Sequence, residues 1–321
     1  MNRLSDLRRQ AASPFEPERL DFPDQALVFV HGIFSSHRTF EPLVRGLLAR
    51  EPALARFGLY YFDYNFHQSI PASGRELADV LSRAFPKRKP RVTLVGHSMG
   101  GLVARTALLQ AGDLDMVRRL VMLGTPNHGT LQTARLGFLA HLMREETARL
   151  WLVFARRATG IKELTEIGKV ITPLLGEGKQ RTRGVEYVSI PGLRFHQESG
   201  WLEAPPDTSG GLRKLAILLS ILQAGPGMKV ELGLPHDGIV EERSVRLSSE
   251  ADLFSERPHV QPPYGPYLHL THPDYQAVDH ITVHQADRTI QLLAELLITQ
   301  DLGTWRQALA ARGECNLYPP S

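Results

Sequence analysis

Short apolar runs alternate with segments of helical periodicity along the first part of the chain. The apolar runs lie at 26–30, 58–62, 92–95 and 120–123. Continuous apolar runs of this length are typical of strands that are buried on both faces, as in parallel sheets. Apolar residues at helical spacing predict helices over 39–50, 74–85 and 102–109. The alternation predicts an α/β protein with a mostly parallel central sheet flanked by helices.

The pattern changes after the glycine-rich turn at 124–129. From Leu131 to about Leu175 the chain has a helical pattern, and a strand is indicated again at Val185–Ile190. We interpret the intervening helices as a cap inserted between two parts of the core. The predicted order along the chain is an irregular N-terminal segment at 1–24, core at 25–130, a helical cap at 131–183, core at 184–300 with a last helix at about 281–298, and a C-terminal tail at 301–321.

The composition is that of an ordinary soluble globular protein. The 321 residues are 42% hydrophobic and 22% charged, and the formal net charge is +3. The arginines are spread along the chain rather than clustered, so we expect no nucleic-acid partner. The single cysteine, Cys315, excludes a disulfide bond within the chain.

The sequence carries no pattern of a membrane or secreted protein. No stretch approaches the roughly 18 apolar residues that a membrane-spanning helix needs. The charged residues Arg8 and Arg9 are not followed by the apolar segment of a secretory signal. We therefore expect a cytoplasmic protein without stable membrane insertion, in which the cap is the part that would contact a lipid–water interface.

Several polar residues directly follow predicted strands. His31, Asp63, Ser98 and the turn at 124–129 each stand at the carboxyl end of an apolar run. The carboxyl ends of parallel strands meet at one edge of a sheet, where ligands bind. These residues are therefore expected to share one rim, with Asn127 and His128 holding the turn.

The motif Gly-His-Ser-Met-Gly at 96–100 stands between a predicted strand and a predicted helix. This is the strand–turn–helix context in which G-x-S-x-G presents a nucleophilic serine. Glycine at positions 96 and 100 avoids the clash that Cβ atoms would cause in so tight a turn. The turn would place the Ser98 oxygen at the tip of a strand and against the N-terminus of a helix, whose free N–H groups favour an oxyanion.

A serine hydroxyl needs a general base and the base needs an orienting carboxylate. In the fold to which this motif belongs, the order along the chain is serine, acid, histidine. Asp237 lies in a turn punctuated by proline and glycine, and we predict it to be the acid. His280 is the predicted base, and the neighbouring alternatives are His269, His272 and His284.

An oxyanion hole needs two backbone N–H groups. One comes from the residue after the nucleophile, which here is Met99, and the other from the loop after the first strand. In that loop Ile33 is predicted to supply the second N–H group, with Phe34 as the alternative. His31 is expected to be a structural imidazole bonded to backbone, and His97 is assigned no chemistry.

Together, these motifs resemble the lipase/esterase branch of the α/β-hydrolase superfamily. The similarity rests on Val-His-Gly at 30–32, Gly-His-Ser-Met-Gly-Gly at 96–101, Gly-Thr-Pro-Asn-His-Gly at 124–129, Asp237-Gly238 and Asp279-His280. The resemblance covers roughly residues 25–298 and implies the α/β-hydrolase fold with a triad of Ser98, Asp237 and His280. It also implies hydrolysis of carboxylic esters through an acyl-enzyme, with no obligatory cofactor.

The chain departs from the lipase pattern in two respects. Secreted bacterial lipases usually carry a signal peptide, and this sequence does not show one. Some relatives bind a structural calcium ion near the histidine loop, but no dedicated carboxylate cluster is visible here, so no metal is expected.

The predicted function is a serine carboxylic-ester hydrolase, an esterase or lipase. The apolar cap favours hydrophobic acyl esters or lipids as substrates. An acyl thioesterase or acyltransferase with the same triad is the first alternative. A non-catalytic binding protein is the second, because a fold does not fix a function.

Overall fold

The chain builds one open sheet with helices on both of its faces. The computed structural model describes residues 8–9, 24–33, 35–85, 91–111, 114–129, 159, 163–164, 167, 170–171, 174, 184–192, 237, 240, 242–247, 267–270, 278–299, 301–313 and 315–316. The described strands are β1 (Arg8–Arg9), β2 (Gln25–Val30), β3 (Gly58–Phe62), β4 (Arg91–His97), β5 (Val117–Leu123), β6 (Glu186–Ile190), β7 (Tyr267–Leu270) and β8 (Cys315–Asn316). The described helices are α1 (Glu41–Arg50), α2 (Ile70–Ala84), α3 (Met99–Gln110), α4 (Glu242–Val245), α5 (Asp287–Ile298) and α6 (Leu302–Ala311). Short 3-10 helices at His37–Phe40 and Pro52–Arg56 flank α1.

The inner strands of the sheet are all parallel. Their order is β3-β2-β4-β5-β6-β7, with β1 antiparallel to β3 at one edge and β8 antiparallel to β7 at the other. From β2 the chain moves outward to β3 and then returns past β2 to β4. The crevice at the carboxyl ends of β2 and β4 is therefore the place where ligands bind in sheets of this kind. The predicted, mostly parallel sheet is confirmed.

Two apolar clusters cover the sheet, because alternate strand residues point to opposite faces. One cluster joins α2 and α3 to the sheet and includes Leu77 and Leu94. The other joins α1, α5 and α6 to the opposite face and includes Leu43, Val95 and Leu293. Burying each side chain of this size contributes about 1.5–3 kcal/mol. Burial on both faces explains why the strands are continuous apolar runs in the sequence.

Helix α2 begins at Ile70, earlier than the residue 74 predicted from periodicity. The Ser69 hydroxyl accepts a hydrogen bond from the backbone N–H of Ala72 at 3.2 Å and caps the helix. Pro71 occupies the first turn, where its missing N–H group has no intrahelical acceptor to lose. The cap and the proline together set the start of the helix.

Helix α5 begins at Asp287, later than the residue 281 predicted from periodicity. The Asp279 carboxylate accepts hydrogen bonds from the backbone N–H groups of Ile281 at 3.0 Å and Thr282 at 2.8 Å. An aspartate that binds the N–H groups of the next residues favours a turn over a helix. The residues around His280 therefore form a tight turn at the rim of the sheet.

Both ends of the described chain contribute to the sheet. The segment 1–24, predicted to be irregular, contains β1. The segment 301–321, predicted to be a tail, contains α6 and β8. In α6, Leu302, Trp305 and Leu309 are buried in the cluster that also holds α1 and α5. Their helical spacing forms one apolar face, so this segment packs on the core instead of extending from it.

Most of the predicted cap at 131–183 lies outside the described residues. The positions that are described between 159 and 174 are helical. Of these, Leu164, Ile167 and Ile171 are buried in the cluster that holds α2 and α3. The proposed limits of the cap and of the two core segments remain a prediction.

Candidate active site

The turn between β4 and α3 holds Ser98 in a strained backbone conformation. β4 ends at His97 and α3 begins at Met99, so Ser98 alone makes the turn. Its φ is 53°, and within the described residues no other non-glycine residue has a positive φ. Such a conformation costs about 1–3 kcal/mol and persists only where the surroundings impose it. The Ser98 N–H group donates to the carbonyl oxygen of Leu123 at 2.9 Å, which ties the turn to β5.

Two glycines allow this turn to close. A Cβ atom at Gly96 would lie 2.5 Å from the Cα atom of Gly101. A Cβ atom at Gly100 would lie 2.1 Å from the carbonyl oxygen of Val30 and 2.4 Å from that of His31. Backbone atoms cannot move aside as a flexible side chain can. The first turn of α3 therefore packs directly against the end of β2 only because residue 100 has no side chain.

We expect Gly100→Ala to lower the free energy of unfolding by about 3 kcal/mol, because the added methyl group forces the helix and β2 apart. Urea denaturation at neutral pH measures the change. Gly303→Ala is the matched control, since its added Cβ atom would meet nothing nearer than the Asp301 carboxylate at 3.2 Å. Equal midpoints for the two variants would contradict the packing argument.

Ser98, His280 and Asp237 form a continuous chain of hydrogen bonds. The Ser98 Oγ and His280 Nε2 atoms are 2.8 Å apart, and His280 Nδ1 lies 2.8 Å from Asp237 Oδ2. A carboxylate only accepts, so Nδ1 carries the proton and donates to Asp237, while Nε2 accepts from the Ser98 hydroxyl. The three residues are 5%, 5% and 1% exposed, respectively, so water competes little for these bonds.

The alternative base His269 lies in a different hydrogen-bonded group. It is fully buried, its Nδ1 atom lies 2.8 Å from Ser189 Oγ, and its Nε2 atom lies 2.7 Å from Glu242 Oε1. Ser189, His269 and Glu242 are thus a second hydrogen-bonded set of serine, histidine and carboxylate in this protein. Because both ring nitrogens are engaged there, His269 is not positioned at Ser98.

The contacts of the alternative base His284 are with Phe40 and His97. It is 2% exposed and packs beside Phe40, with the ring centroids 6.1 Å apart. Burial, and then the neighbouring His280, lower the pKa of His284 to about 4. His272 lies outside the described residues. Among the described candidate histidines, the structure therefore brings His280 to Ser98.

The loop that carries Asp237 is closed on itself and tied to the sheet. Asp237 Oδ1 accepts from the backbone N–H of Val240 at 2.7 Å, and the Asp237 N–H donates to the Val240 carbonyl oxygen at 3.1 Å. Helix α4 follows directly, and Glu242 at its start binds His269 and Arg246. Burial alone would raise the pKa of the Glu242 carboxyl, but hydrogen bonds and charge from His269 and Arg246 outweigh it and hold the pKa at about 2.

The turn at 124–129 anchors the same short helix. Asn127 Nδ2 donates to the carbonyl oxygen of Val245 at 2.9 Å, and the His128 N–H donates to Ser244 Oγ at 3.2 Å. The Ser244 hydroxyl in turn donates to the carbonyl oxygen of Gly129. Within the turn, the Asn127 N–H donates to the Thr125 carbonyl oxygen at 2.9 Å, in line with the expectation that these residues hold the turn. Asn127 and His128 also hold α4, which follows the loop of Asp237, and no sequence pattern indicates this long-range contact.

The two predicted N–H donors of the oxyanion hole, Met99 and Ile33, belong to segments that adjoin Ser98. Met99 is the first residue of α3, and the first N–H groups of a helix have no carbonyl partner within it. Ile33 follows Gly32, at which an added Cβ atom would lie 3.0 Å from Ser98 Cβ. The loop after β2 therefore passes directly beside the serine. The alternative donor, Phe34, lies outside the described residues.

His31 is bound to backbone, as predicted. Its Nδ1–H group donates to the carbonyl oxygen of Gly32 at 2.8 Å, and its Nε2 atom accepts from the Tyr64 N–H at 3.3 Å. Burial lowers the pKa of His31 and keeps the ring neutral. Its Nε2 atom lies 3.8 Å from Asp63, so these residues share one rim as expected. Asp63 also accepts from the backbone N–H of His37 at 2.9 Å.

His97, the residue before the serine, has no role that the sequence indicates. The structure places its ring 5.1 Å from the ring of His280, centroid to centroid, and its Nε2 atom 2.9 Å from the His280 carbonyl oxygen. The only sequence signal was the adjacency to Ser98, because its partner is 183 residues away.

The described part of the chain has neither a metal-binding cluster nor a membrane-spanning helix. Its His, Cys, Asp and Glu side chains include no group of three or more arranged to hold a metal ion. None of its helices combines the length and the apolar character needed to cross a membrane.

The fold is found in solved lipases. The mature form of the Bacillus licheniformis lipase BlEst2 aligns with a TM-score of 0.54 at 17% identity, over 87% of this chain and 94% of that one. Its propeptide form aligns with a TM-score of 0.57 at 18% identity, over 88% of this chain and 52% of that one. At this level of identity the likeness shows the fold, which is that of the α/β-hydrolases.

Two sequence comparisons add to the structural likeness. The sn-1-specific diacylglycerol lipase ABHD11 of Mus musculus is 29% identical over 124 residues, which are 37% of this chain and 38% of the mouse protein. The match therefore spans less than half of that relative. A family described as a domain of unknown function, DUF7379, matches residues 4–194. Because this match covers more than half of the 321 residues, the chain belongs to the DUF7379 family.

Proposed function

We propose that this protein is a serine hydrolase of carboxylic esters with a hydrophobic acyl group. The observation that carries the proposal is the hydrogen-bonded chain from Ser98 Oγ through His280 to Asp237, with 2.8 Å at each step. It lies at the carboxyl ends of the strands, beside the point where the strand order reverses. This is the arrangement that makes a serine hydroxyl nucleophilic.

The geometry supports the following acylation step. The Ser98 oxygen attacks the ester carbonyl carbon while His280 Nε2 accepts the hydroxyl proton. The Asp237 carboxylate keeps the ring in the required tautomer and stabilises the imidazolium that forms. The backbone N–H groups of Met99 and Ile33 receive the carbonyl oxygen as it becomes negative, and each such donor is typically worth about 3 kcal/mol.

The tetrahedral intermediate then collapses. The bond between the carbonyl carbon and the alcohol oxygen breaks, and the proton on His280 Nε2 passes to the leaving alcohol. A water molecule then gives a proton to His280 and attacks the carbonyl carbon of the acyl-enzyme. This forms a second tetrahedral intermediate, whose oxyanion is held by the same two N–H groups. Collapse of this second intermediate releases the carboxylic acid and returns the proton to Ser98.

Apolar residues near the serine support a hydrophobic acyl group. Ile33 and Phe66 are only partly buried, and both pack on the cluster that holds α2 and α3. Ile33 belongs to the loop that passes beside Ser98, and Phe66 lies two residues beyond Tyr64, which stacks on His31. An apolar surface beside the nucleophile favours an acyl chain over a charged group. The Bacillus licheniformis lipase that shares this fold and the mouse diacylglycerol lipase are both named for lipid substrates.

Covalent labelling with a fluorophosphonate and hydrolysis of p-nitrophenyl esters of increasing acyl length test the proposal together. We expect a single modification at Ser98 by mass spectrometry, and an activity that rises with chain length beyond acetate. Acyl thioesters offered in parallel separate an esterase from a thioesterase. A protein that is neither labelled at Ser98 nor active on any ester or thioester would contradict the proposal and favour a binding function.

A further inference from the structure

Three imidazole rings meet at the end of β4. The His97 ring lies 5.1 Å from that of His280 and 4.8 Å from that of His284, measured between centroids. His97 is 7% exposed and His284 is 2% exposed, so both rings are inside the protein. Neither is part of the hydrogen-bonded chain that runs from Ser98 to Asp237.

The contacts of His97 define its protonation. A carbonyl oxygen only accepts, so the Nε2 atom that lies 2.9 Å from the His280 carbonyl oxygen carries a proton and donates it. The Nδ1 atom is buried and has no hydrogen-bond partner among the described residues. Burial, and then the neighbouring His280 and His284, lower the pKa of His97 well below its ordinary value. The ring is therefore neutral and fixed as the Nε2–H tautomer.

This bond completes a clamp on the main chain of His280. On one side, the His280 N–H donates to the Asp237 carbonyl oxygen at 3.0 Å. On the other, the His280 carbonyl oxygen accepts from His97, the residue that precedes Ser98 in the chain. The side chain of His97 thus joins the backbone of the base to the segment that carries the nucleophile. Along the chain, Ser98 and His280 are 182 residues apart.

We propose that His97 is a positioning residue, which holds the main chain of His280 so that its ring stays within reach of the Ser98 hydroxyl. The proposal rests on the proposed function of Ser98 and His280. His280 lies in a turn rather than in a helix. Without the bond from His97, the His280 carbonyl oxygen would lose its hydrogen bond to the end of β4. A shift of about 1 Å at a reacting group can lower a rate about 100-fold.

The His97 ring also suits its neighbours electrostatically. His280 becomes an imidazolium during acylation, and a second cation 5.1 Å away would oppose that charge. A neutral imidazole supplies the N–H donor without this penalty. Lysine or arginine could also donate to the carbonyl oxygen, but each would bring a permanent positive charge.

The test compares His97→Phe, which removes the donor, with His97→Gln, which retains an amide donor. We expect His97→Phe to lower kcat for p-nitrophenyl ester hydrolysis about 10- to 100-fold with little change in KM. His97→Gln should recover most of that loss. His284→Phe is the matched control, because it removes a buried imidazole from the same cluster without removing the bond to the His280 carbonyl. Its kcat should remain within about threefold of wild type.

A second readout does not depend on turnover. The proton between His280 Nδ1 and Asp237 gives a strongly deshielded resonance in proton NMR when the pair is well aligned. We expect this resonance to broaden or vanish in His97→Phe and to persist in His97→Gln and His284→Phe. If the wild-type protein hydrolyses no ester, the proposed function fails, while the resonance still decides whether His97 positions His280.

The outcome that would overturn the proposal is equally specific. In one case His97→Phe keeps both its kcat and the resonance. In the other, His97→Phe and His284→Phe lose activity and thermal stability to the same extent, and glutamine at position 97 restores nothing. Either result would make His97 a packing residue.

Discussion

Replacing Ser98 by alanine is expected to lower kcat for ester hydrolysis by about 10⁴- to 10⁶-fold, the loss typical of removing a triad nucleophile. The variant lacks the oxygen that lies 2.8 Å from His280 Nε2, so no acyl-enzyme can form. Steady-state hydrolysis of a p-nitrophenyl ester measures the loss, and fluorophosphonate labelling of the variant should disappear with it. Folding should be maintained, because the alanine methyl group is smaller than the side chain it replaces.

Residues that act as one unit do not lose activity additively. His280→Ala should therefore cause a loss similar to that of Ser98→Ala, and the double variant should be no slower than either single variant. Asp237→Asn should lower kcat by a comparable factor because it favours the wrong tautomer of His280.

The chain itself offers a matched control. Ser189 also lies 2.8 Å from a histidine nitrogen, and that histidine also binds a carboxylate. Ser189→Ala should keep activity within a few-fold of wild type and lower the free energy of unfolding by about 1 kcal/mol, the contribution of a typical hydrogen bond. If Ser189→Ala were inactive and Ser98→Ala fully active, the assignment of the nucleophile would be wrong.

The two serine–histidine–carboxylate groups differ in the backbone that carries the serine. Ser189 lies within β6 and is fully buried, and its hydroxyl also bonds the Tyr267 hydroxyl at 2.8 Å. Ser98 lies at a turn with positive φ beyond the end of β4, next to the first turn of α3. The side-chain chemistry is similar in the two groups. The backbone is different, because Ser98 stands at a strained turn at the strand ends whereas Ser189 lies inside a strand.

The second large effect is a loss of stability in acid, in two stages. The first stage comes from buried histidines. The pKa of His284 is about 4 in the folded protein and 6.5 when unperturbed. As the pH falls below 6.5, the unfolded chain binds a proton that the folded protein excludes, so the free energy of unfolding falls until the pH reaches about 4. Burial also lowers the pKa of His97, so this residue likewise reduces the free energy of unfolding as the pH falls below 6.5.

The second stage comes from Glu242. Its pKa is about 2 in the folded protein and 4.5 when unperturbed. The stability contributed by its ionised form is complete above pH 4.5 and is lost as the pH falls toward 2, where the folded carboxylate is protonated. Each of these two shifts corresponds to about 3 kcal/mol, because one pKa unit is worth about 1.4 kcal/mol. Together they are comparable with the whole stability of many domains.

Urea denaturation at a series of pH values between 7 and 2 measures both stages. His284→Phe should flatten the curve between pH 6.5 and 4 without affecting the slope below it. Glu242→Gln should lower stability at neutral pH and flatten the curve below pH 4.5. A wild-type free energy of unfolding that does not change between pH 6.5 and 4 would show that these histidines are not held neutral by burial.

Local patterns in the sequence determined the inner strands of the sheet and the tight turn at Ser98. The apolar runs at 26–30, 58–62, 92–95 and 120–123 correspond to four neighbouring parallel strands. Strands buried on both faces must be apolar along their whole length, so they can be recognised without knowledge of their neighbours. The turn at 96–100 could also be predicted, because its glycines are required by contacts within a few residues and with the adjacent strand.

Contacts between distant parts of the chain decided the rest. The sequence offered four histidines as partners for Ser98. Which of them lies against Ser98 depends on the turn that Asp279 imposes before α5 and on the pairing of His269 with Glu242. The bond from His97 to His280 is likewise invisible to a local pattern. Short-range patterns report which surfaces are apolar and which turns are tight. They do not report which polar groups meet across more than a hundred residues, because that is set by the packing of the whole sheet and its helices.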